Sequence, residues 1–493
     1  MAGYNRKAAV IGAGVGGLAT ASRLAARGHE VSVFEKLSQC GGRANVIEDK
    51  GFKFDTGPSF VLMPDFFKEI FEDCGEDIKD HLDLKPLEVS YKIFFPDGDT
   101  FTVYRDSDRT KQDMERIESG SSAGFDSFIR YSGDIYKAVK PLLSECMTLK
   151  SLISLSKLAL LPKIHPLSTF WKAASGFFKT DKLRYAFTFE SMFMGVSPFE
   201  TPAFYSVITY SDHVEKIAHP MGGMYQIPKA LENVALKKGA KFNYNSEVKQ
   251  IEEKNDAISL KVNGREEVFD LAVCNADLPY SKSELLGQEL PKYRYSCSVF
   301  LMYMGLKKKL KGFEHHNLFF ARDLEKNIEE IFKTNKVSKD PSFYLHVPTV
   351  TDPTLAPEGK EILYFLIPVP NLCVNEKGVD GREEELRDLV LKKMKEITGE
   401  DIEPLIETEH RFYPRDFTRR YNILNGATFG LSHNLTQSAF FRPPNYEPRV
   451  KNLYYVGAST QPGGGLPVVL AGSMAAVKLI EKGVNSSRGG NRP

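Results

Sequence analysis

The chain has 493 residues, 42% hydrophobic and 26% charged, which describes a globular protein too long for one simple core; roughly two or three domains are expected. Its formal net charge of +1 offers no electrostatic footprint for nucleic acid. Its six cysteines (Cys40, Cys74, Cys146, Cys274, Cys297 and Cys373) form no CxxC pair and no metal-ligand spacing, so reduced thiols are expected, and no apolar run approaches the ~18 residues of a spanning helix.

The chain opens with Arg6 and Lys7, and the apolar run after them stops at Gly12, so it reads as a buried strand rather than a signal peptide. "KAAVIGAGVGGLATASRLAARGHEVSVFEK", Lys7 to Lys36, is a complete β-α-β unit. A strand over Ala8 to Ile11 enters a glycine turn. A helix follows through Leu18, Ala21 and Leu24, Gly28 stops it, and a second strand ends on Glu35. Gly12, Gly14 and Gly17 spell G-x-G-x-x-G, with Ala13 and Gly16 completing the turn. Such glycines serve a tight turn, close approach of a pyrophosphate, and helix-to-strand packing, while the helix N-terminus offers free N–H groups to the phosphates. Glu35 lies eighteen residues past Gly17, where an acid accepts from a ribose hydroxyl, and Lys36 follows it. The fingerprint alone is weak; strand, helix, second strand and acid together point to a bound dinucleotide.

Gly41, Gly42 and Arg43 then form a second glycine turn carrying a cation, a fork donor for pyrophosphate or ribityl oxygens. Gly57 and Pro58 mark a sharp turn after "FKFD". A simple NAD domain continues with another β-α-β repeat instead. The order of fingerprint, acid, GGR and F-D-x-G-P resembles the large flavoprotein superfamily of amine oxidases, carotenoid desaturases and Rab GDP-dissociation inhibitors. That resemblance implies an α/β protein with a discontinuous Rossmann-like FAD-binding domain and an inserted α+β substrate domain. Segments 1–79, 216–289 and 416–483 are then assigned to FAD, segments 80–215 and 290–415 to substrate, and 484–493 to a disordered tail.

"HPMGGMYQIPKALENVALKKGAKFNYNSEVKQIEEK" places a helix after Gly222-Gly223, with Ile227, Leu231, Val234 and Leu236 on one side and Gly239 ending it. In the superfamily this block returns the chain to the nucleotide domain, and Val248 matches the residue whose backbone meets the adenine. Near the end, "NLYYVGASTQPGGGLPVVLAGSMAA" is a strand, a glycine-rich loop and a small-residue helix. The resemblance puts Gly457 and Ala458 near the pyrophosphate and Gly465, Leu466 and Pro467 under the flavin ring. A helix from Val469 then aims its positive end at the ring's carbonyl edge. Ala458 replaces the aspartate of many superfamily members, a departure that favours the carotenoid branch. The chain has one G-x-G-x-x-G, so no pyridine-nucleotide partner is expected, and a quinone or oxygen takes the electrons.

The remainder resembles the bacterial carotenoid desaturases over about residues 6–482, through "YSCSVFLMYMGL", "FYLHVPTVTDPTLAPEGK", "GATFGLSHNLTQSAFFRPPN" and "FESMFMGVSPFETPAFYSVI". The resemblance implies that C=C bonds are introduced into phytoene or the shorter diapophytoene, with oxidation of carotenoid ends or isomerisation as same-family alternatives. Prenyl-chain carriage without a cofactor is the alternative of another class, and the intact fingerprint, Glu35 and GGR argue against it. Desaturation removes a hydride and a proton from adjacent carbons, and the transient cation is delocalised, so orientation and a nearby negative charge are needed more than a strong base. Asp352 matches a carboxylate that the family places near the site, and the resemblance makes it the candidate catalytic residue, to stabilise the cation or accept the proton; as the residue before Pro353 it is also a turn starter. His346 reads as a lone packed strand histidine and Glu358 as solvated.

Met147 to Lys182 carries six lysines, one acid (Asp181), recurrent leucines and the chain's single tryptophan, Trp171. Basic, leucine-rich, Trp-bearing helices rest at membrane interfaces, and the alternative is a helix covering a tunnel with its lysines solvated. A forty-carbon hydrocarbon gains on the order of 30 kcal/mol on leaving water, so its enzyme draws it from the bilayer. Peripheral attachment to the cytoplasmic face of a membrane is therefore expected, with a long polyene hydrocarbon as substrate.

Overall fold

The computed structural model describes residues 5–148, 164–373 and 381–486. The fingerprint strand, Lys7–Ile11, is central in a five-stranded parallel sheet ordered Leu453–Tyr455, Leu271–Cys274, Lys7–Ile11, Glu30–Phe34, Lys241–Asn243. Its central strands are apolar past their first residue because both faces are covered, as in Ala8–Ile11 and Leu271–Cys274. Strand alternation sends Ala8 and Val10 into one core with Leu18, Leu24, Leu231 and Leu470. Ala9 and Ile11 enter the opposite core with Ile251, Ile258 and Leu260 of an antiparallel meander, Val248–Lys254, Ala257–Val262 and Arg265–Phe269.

Three helices cover the first face: Val15–Ala26, Gln226–Lys237 and Leu466–Ser486. The Ser22 hydroxyl donates to the Leu231 carbonyl across the first two. The buried Arg23 guanidinium pairs with Asp73 at 2.8 Å and donates to the Leu470 carbonyl, tying in the third. Of the apolar side expected for the second helix, Ile227, Leu231 and Val234 are buried but Leu236 is exposed. Leu236 follows Ile227 by nine positions, which at about 100° per residue turns it to the far side. The last helix begins at Leu466, ahead of the expected Val469, and runs to Ser486, three residues into the segment assigned to the tail.

The second sheet has seven strands ordered Ile406–Phe412, Ser298–Leu306, Glu361–Val369, Phe343–His346, His316–Phe319, Val89–Phe94, Thr100–Tyr104. It is antiparallel except where His316–Phe319 runs parallel to Val89–Phe94. Ser298–Leu306 is buried at all nine positions. Its Phe300, Met302 and Met304 pack under the helix Glu383–Thr398 through Leu386, Val390 and Met394. Val299, Leu301 and Tyr303 face Phe52 and Phe54 of the hairpin that follows GGR. Of the basic segment Met147 to Lys182, residues 149–163 lie outside the described residues. Trp171, in the short helix Phe170–Ser175, packs on Tyr185 and Phe199 with ring centroids 4.5 and 5.0 Å away.

Candidate functional site

One cavity of about 610 Å³ opens along the C-terminal ends of the parallel strands and continues to the inner face of the seven-stranded sheet. Gly12, Gly14, Gly16, Glu35, Lys36, Gly42, Arg43, Gly57, Pro58, Val248, Gly457, Ala458, Gly465, Leu466 and Pro467 all line it. Ala13 and Gly17 lie behind the wall. The Ala13 N–H donates to Glu35 Oε2 at 2.7 Å. A Cβ on Gly17 would stand 2.1 Å from the Gly12 carbonyl oxygen, so only glycine lets this helix approach its strand.

Glu35 is buried and accepts from the Ala13 and Leu37 N–H groups; burial raises its pKa against those two bonds. A carboxylate has about four lone-pair positions, so further acceptor capacity faces the cavity. The fingerprint helix has no side-chain cap at Gly14 and no acid in its first turn, leaving its N–H groups for an anion. Arg43 is held by the Thr428 carbonyl at 2.6 Å; burial lowers its pKa and the charge of Asp277 opposes that. The Lys36 Nζ donates to Asn422 Oδ1 at 2.7 Å. Gly465 adopts φ +101°, and nothing in the protein lies within 4 Å of where its Cβ would be. Backbone-lined space, uncapped N–H groups and a buried acceptor at the strand end fit a flavin dinucleotide. Val15–Ala26, Glu35 and Arg43 would hold its polar part, and the 457–467 loop its ring.

Several lining or supporting residues were not legible in the sequence. Asn275 stands at the tip of Leu271–Cys274, where its Nδ2 reaches the Gly12 carbonyl at 3.4 Å. Asp277 beside it accepts from Ser459, and burial raises its pKa. Both belong to "CNAD", whose position after an apolar strand was the one available cue. His433 Nε2 accepts the Gly464 N–H at 3.0 Å. Arg442, fully buried, donates to the carbonyls of Leu431, Ser432, Gln437, Ala458 and Thr460, fixing the glycine loop from behind. On the sheet side, Tyr344 bonds Ser59 at 2.8 Å and His316 Nδ1 at 2.6 Å, and Tyr364 donates to the Gly57 carbonyl at 2.9 Å.

Asp352 does not line the cavity. It is fully buried elsewhere, where Oδ1 accepts from the Thr354 N–H at 3.0 Å and Oδ2 from the Gly222 N–H at 2.6 Å. It caps the short 3-10 turn Pro353–Leu355, so the turn-starter role suggested by Asp-Pro is the one the fold uses. His346 is not a lone histidine: it packs with His219, His315 and His316. Glu358 is exposed.

Leu435, Phe440 and Phe441 belong to the cavity wall, and Leu435 and Phe441 are also exposed to solvent, by 37% and 56%. Pro166 lines the same cavity, and its neighbour Leu167 is 90% exposed. This stretch is a greasy opening. No described helix is long and apolar enough to cross a membrane.

Comparison with known proteins agrees with this geometry. The chain is 38% identical over 478 residues to the zeta-carotene-forming phytoene desaturase of Myxococcus xanthus, covering 94% of this chain and 92% of that protein. It is 37% identical over 494 residues to the 4,4'-diapophytoene desaturase (4,4'-diaponeurosporene-forming) of Staphylococcus haemolyticus, covering 96% and 98%. Among solved structures, an oxidoreductase from Methanosarcina mazei superposes with a TM-score of 0.61 at 17% identity over 96% of this chain and all of that one. Putrescine oxidase bound to putrescine does so with 0.62 at 14% identity over 97% and 99%. These likenesses share the two-sheet fold. A family model described as flavin containing amine oxidoreductase matches residues 15–480, and the chain belongs to that family.

Proposed function

We propose that the protein is an FAD-dependent carotenoid desaturase that introduces C=C bonds into phytoene or diapophytoene, drawn from a membrane surface. One observation carries this reading. The cavity that begins at the glycine turns ends against a sheet face of Val299, Leu301, Leu318, Tyr344, Tyr364 and Leu366, and no described sheet residue lining it is charged. An amine substrate calls for a carboxylate or a polar anchor there; a polyene hydrocarbon calls for area and shape.

FAD, when bound, supplies the acceptor for a hydride from an allylic carbon. The protein's residues do the rest by position. The aromatic walls exclude water and present ring faces to a delocalised carbocation, an attraction worth about 0.5–2 kcal/mol per well-placed ring. Such a cation is acidic, so a weak base suffices for proton loss, consistent with Asp352 lying outside the cavity. Leu466 and Pro467, at the start of the last helix, contribute to the same cavity wall. Exposed Leu167, Leu435 and Phe441 at the opening support delivery from lipid. A quinone or oxygen is the proposed electron acceptor, and segments 80–215 and 290–415 the proposed substrate domain.

The test is reconstitution. Purified protein, yellow from its flavin, is given phytoene or diapophytoene in lipid vesicles, with a quinone or air. New visible bands from lengthened conjugation are expected with at least one precursor. No new chromophore with either rejects desaturation. Incorporation of labelled oxygen instead assigns end-group oxidation, and double-bond rearrangement without acceptor consumption assigns isomerisation.

A further inference from the structure

Three histidines from separate parts of the chain converge away from the cofactor cavity. His219 lies in the short strand Ala218–Pro220, His315 immediately precedes His316–Phe319, and His346 closes Phe343–His346. None lines the cavity. All three are buried, with exposures of 0, 3 and 1%. One ring nitrogen of each lies within 4.8 Å of those of the other two, and the Nε2 atoms of His315 and His346 are 2.9 Å apart.

Two details separate this cluster from ordinary packed imidazoles. His219 is fully buried, its Nδ1 has no hydrogen-bond partner and its Nε2 has only the long 3.6 Å approach of Asp352 Oδ2, and a buried polar group so poorly satisfied is costly. His315 Nδ1 is 2.8 Å from the Thr351 hydroxyl; the tautomer that donates its Nδ1–H there leaves the Nε2 lone pair turned toward the cluster, as a metal ligand requires. The contact with His346 Nε2 is an imidazole hydrogen bond when one of the two nitrogens carries a proton, and a divalent cation that displaces that proton takes both lone pairs. Tetrahedral coordination at about 2.0–2.1 Å per nitrogen needs neighbouring ligand atoms about 3.4 Å apart, so the 2.9 Å gap opens by about half an ångström and the wider separations, up to 4.8 Å, close by at most about 1.4 Å. Asp352 Oδ2 stands 3.6 Å from His219 Nε2 and brings the negative charge that a buried dication requires.

We propose that His219, His315 and His346 bind one zinc-class divalent cation, with Asp352 as the adjoining carboxylate. Three imidazole nitrogens select zinc or cobalt over magnesium and calcium, which prefer oxygen. The site is structural. It clasps the strand leading into Gly222-Gly223 and the helix Gln226–Lys237, beside the nucleotide-binding sheet, to two strands of the seven-stranded sheet. It adds a metal to the protein without giving that metal a part in the redox step.

The test uses the full-length holoprotein without a histidine tag, expressed with zinc supplied and dialysed. Elemental analysis is expected to give about one zinc per chain. The double variant His315→Gln/His346→Gln is expected to lose that zinc while keeping its flavin absorbance. Because the variant's folding is not assured, wild-type protein stripped with a chelator is also titrated with cobalt. The visible d–d bands of tetrahedral cobalt, saturating at about one equivalent, and a higher melting temperature in the loaded form are expected. Zinc below about 0.1 per chain together with no tetrahedral cobalt spectrum overturns the proposal, as does undiminished zinc in a folded double variant.

Discussion

Arg442 is a buried cation satisfied entirely by backbone. Burial lowers its pKa to about 10, with Tyr205 opposing, and five carbonyls accept from it. Arg442→Met removes all five bonds at once, leaving Ser432 only its bond from Gln437, and a loss of roughly 3 kcal/mol or more is expected, with flavin released. Arg442→Lys keeps the charge but has three donors in place of a planar fork, and is expected to recover only part of the loss. Flavin-to-protein absorbance ratio and thermal melting check both. Gly17→Ala places a methyl against the Gly12 carbonyl, and about 1–3 kcal/mol of destabilisation with weakened cofactor retention is expected by the same measurements. These two residues also mark what a sequence discloses. Gly17 and Glu35 were readable because a β-α-β unit fixes their spacing locally. Arg442, His433 and Asn275 act across separations that no local pattern encodes. Asp352 was readable as a turn residue, and only family likeness made it a candidate for chemistry.

At the level of elements, periodicity located the parallel strands and the helices around them, since apolar strands and glycine stops are local features. The seven-stranded sheet was less legible, because its order brings together strands from Val89 to Phe412. The opening built from 435–441 was hidden for a similar reason: "LTQSAFF" reads as unremarkable loop until the fold turns Leu435 and Phe441 outward beside the cavity. That stretch makes a sharp expectation. Phe440→Asp/Phe441→Asp is expected to cut flotation with lipid vesicles and turnover of vesicle-borne substrate by roughly tenfold or more, since interfacial binding scales with buried apolar area. Flavin content is expected to stay unchanged. Equal flotation of variant and wild type would assign membrane contact to other residues.

For the molecule as a whole, acid stability has an identifiable contributor. His213 is enclosed between Phe125 and Phe187, and burial, reinforced by Lys216, pushes it from 6.5 down to about 3. Between those values the unfolded chain holds a proton that the folded chain refuses. Stability is therefore complete above about pH 6.5 and declines toward pH 3, by at most about 1.4 kcal/mol per pH unit for this one group. His213→Phe is expected to shallow the fall of melting temperature across that window and to leave the slope above pH 7 unchanged. Parallel slopes in the two proteins would remove His213 from the account.

The parallel sheet takes its central strand from residues 7–11 and an edge from 453–455, and the buried arginine and the cavity-lining glycines of 457–465 also come late. A ribosome therefore finishes almost the entire polypeptide before the nucleotide has anywhere complete to sit. Vitamin uptake by this protein is a post-synthetic event, and a prematurely terminated product is colourless rather than half-active. Until the flavin arrives, the newborn chain carries an open, oily hollow. In a riboflavin-starved cell it is exposed to proteases and aggregation, so abundance as well as activity follows the supply of vitamin.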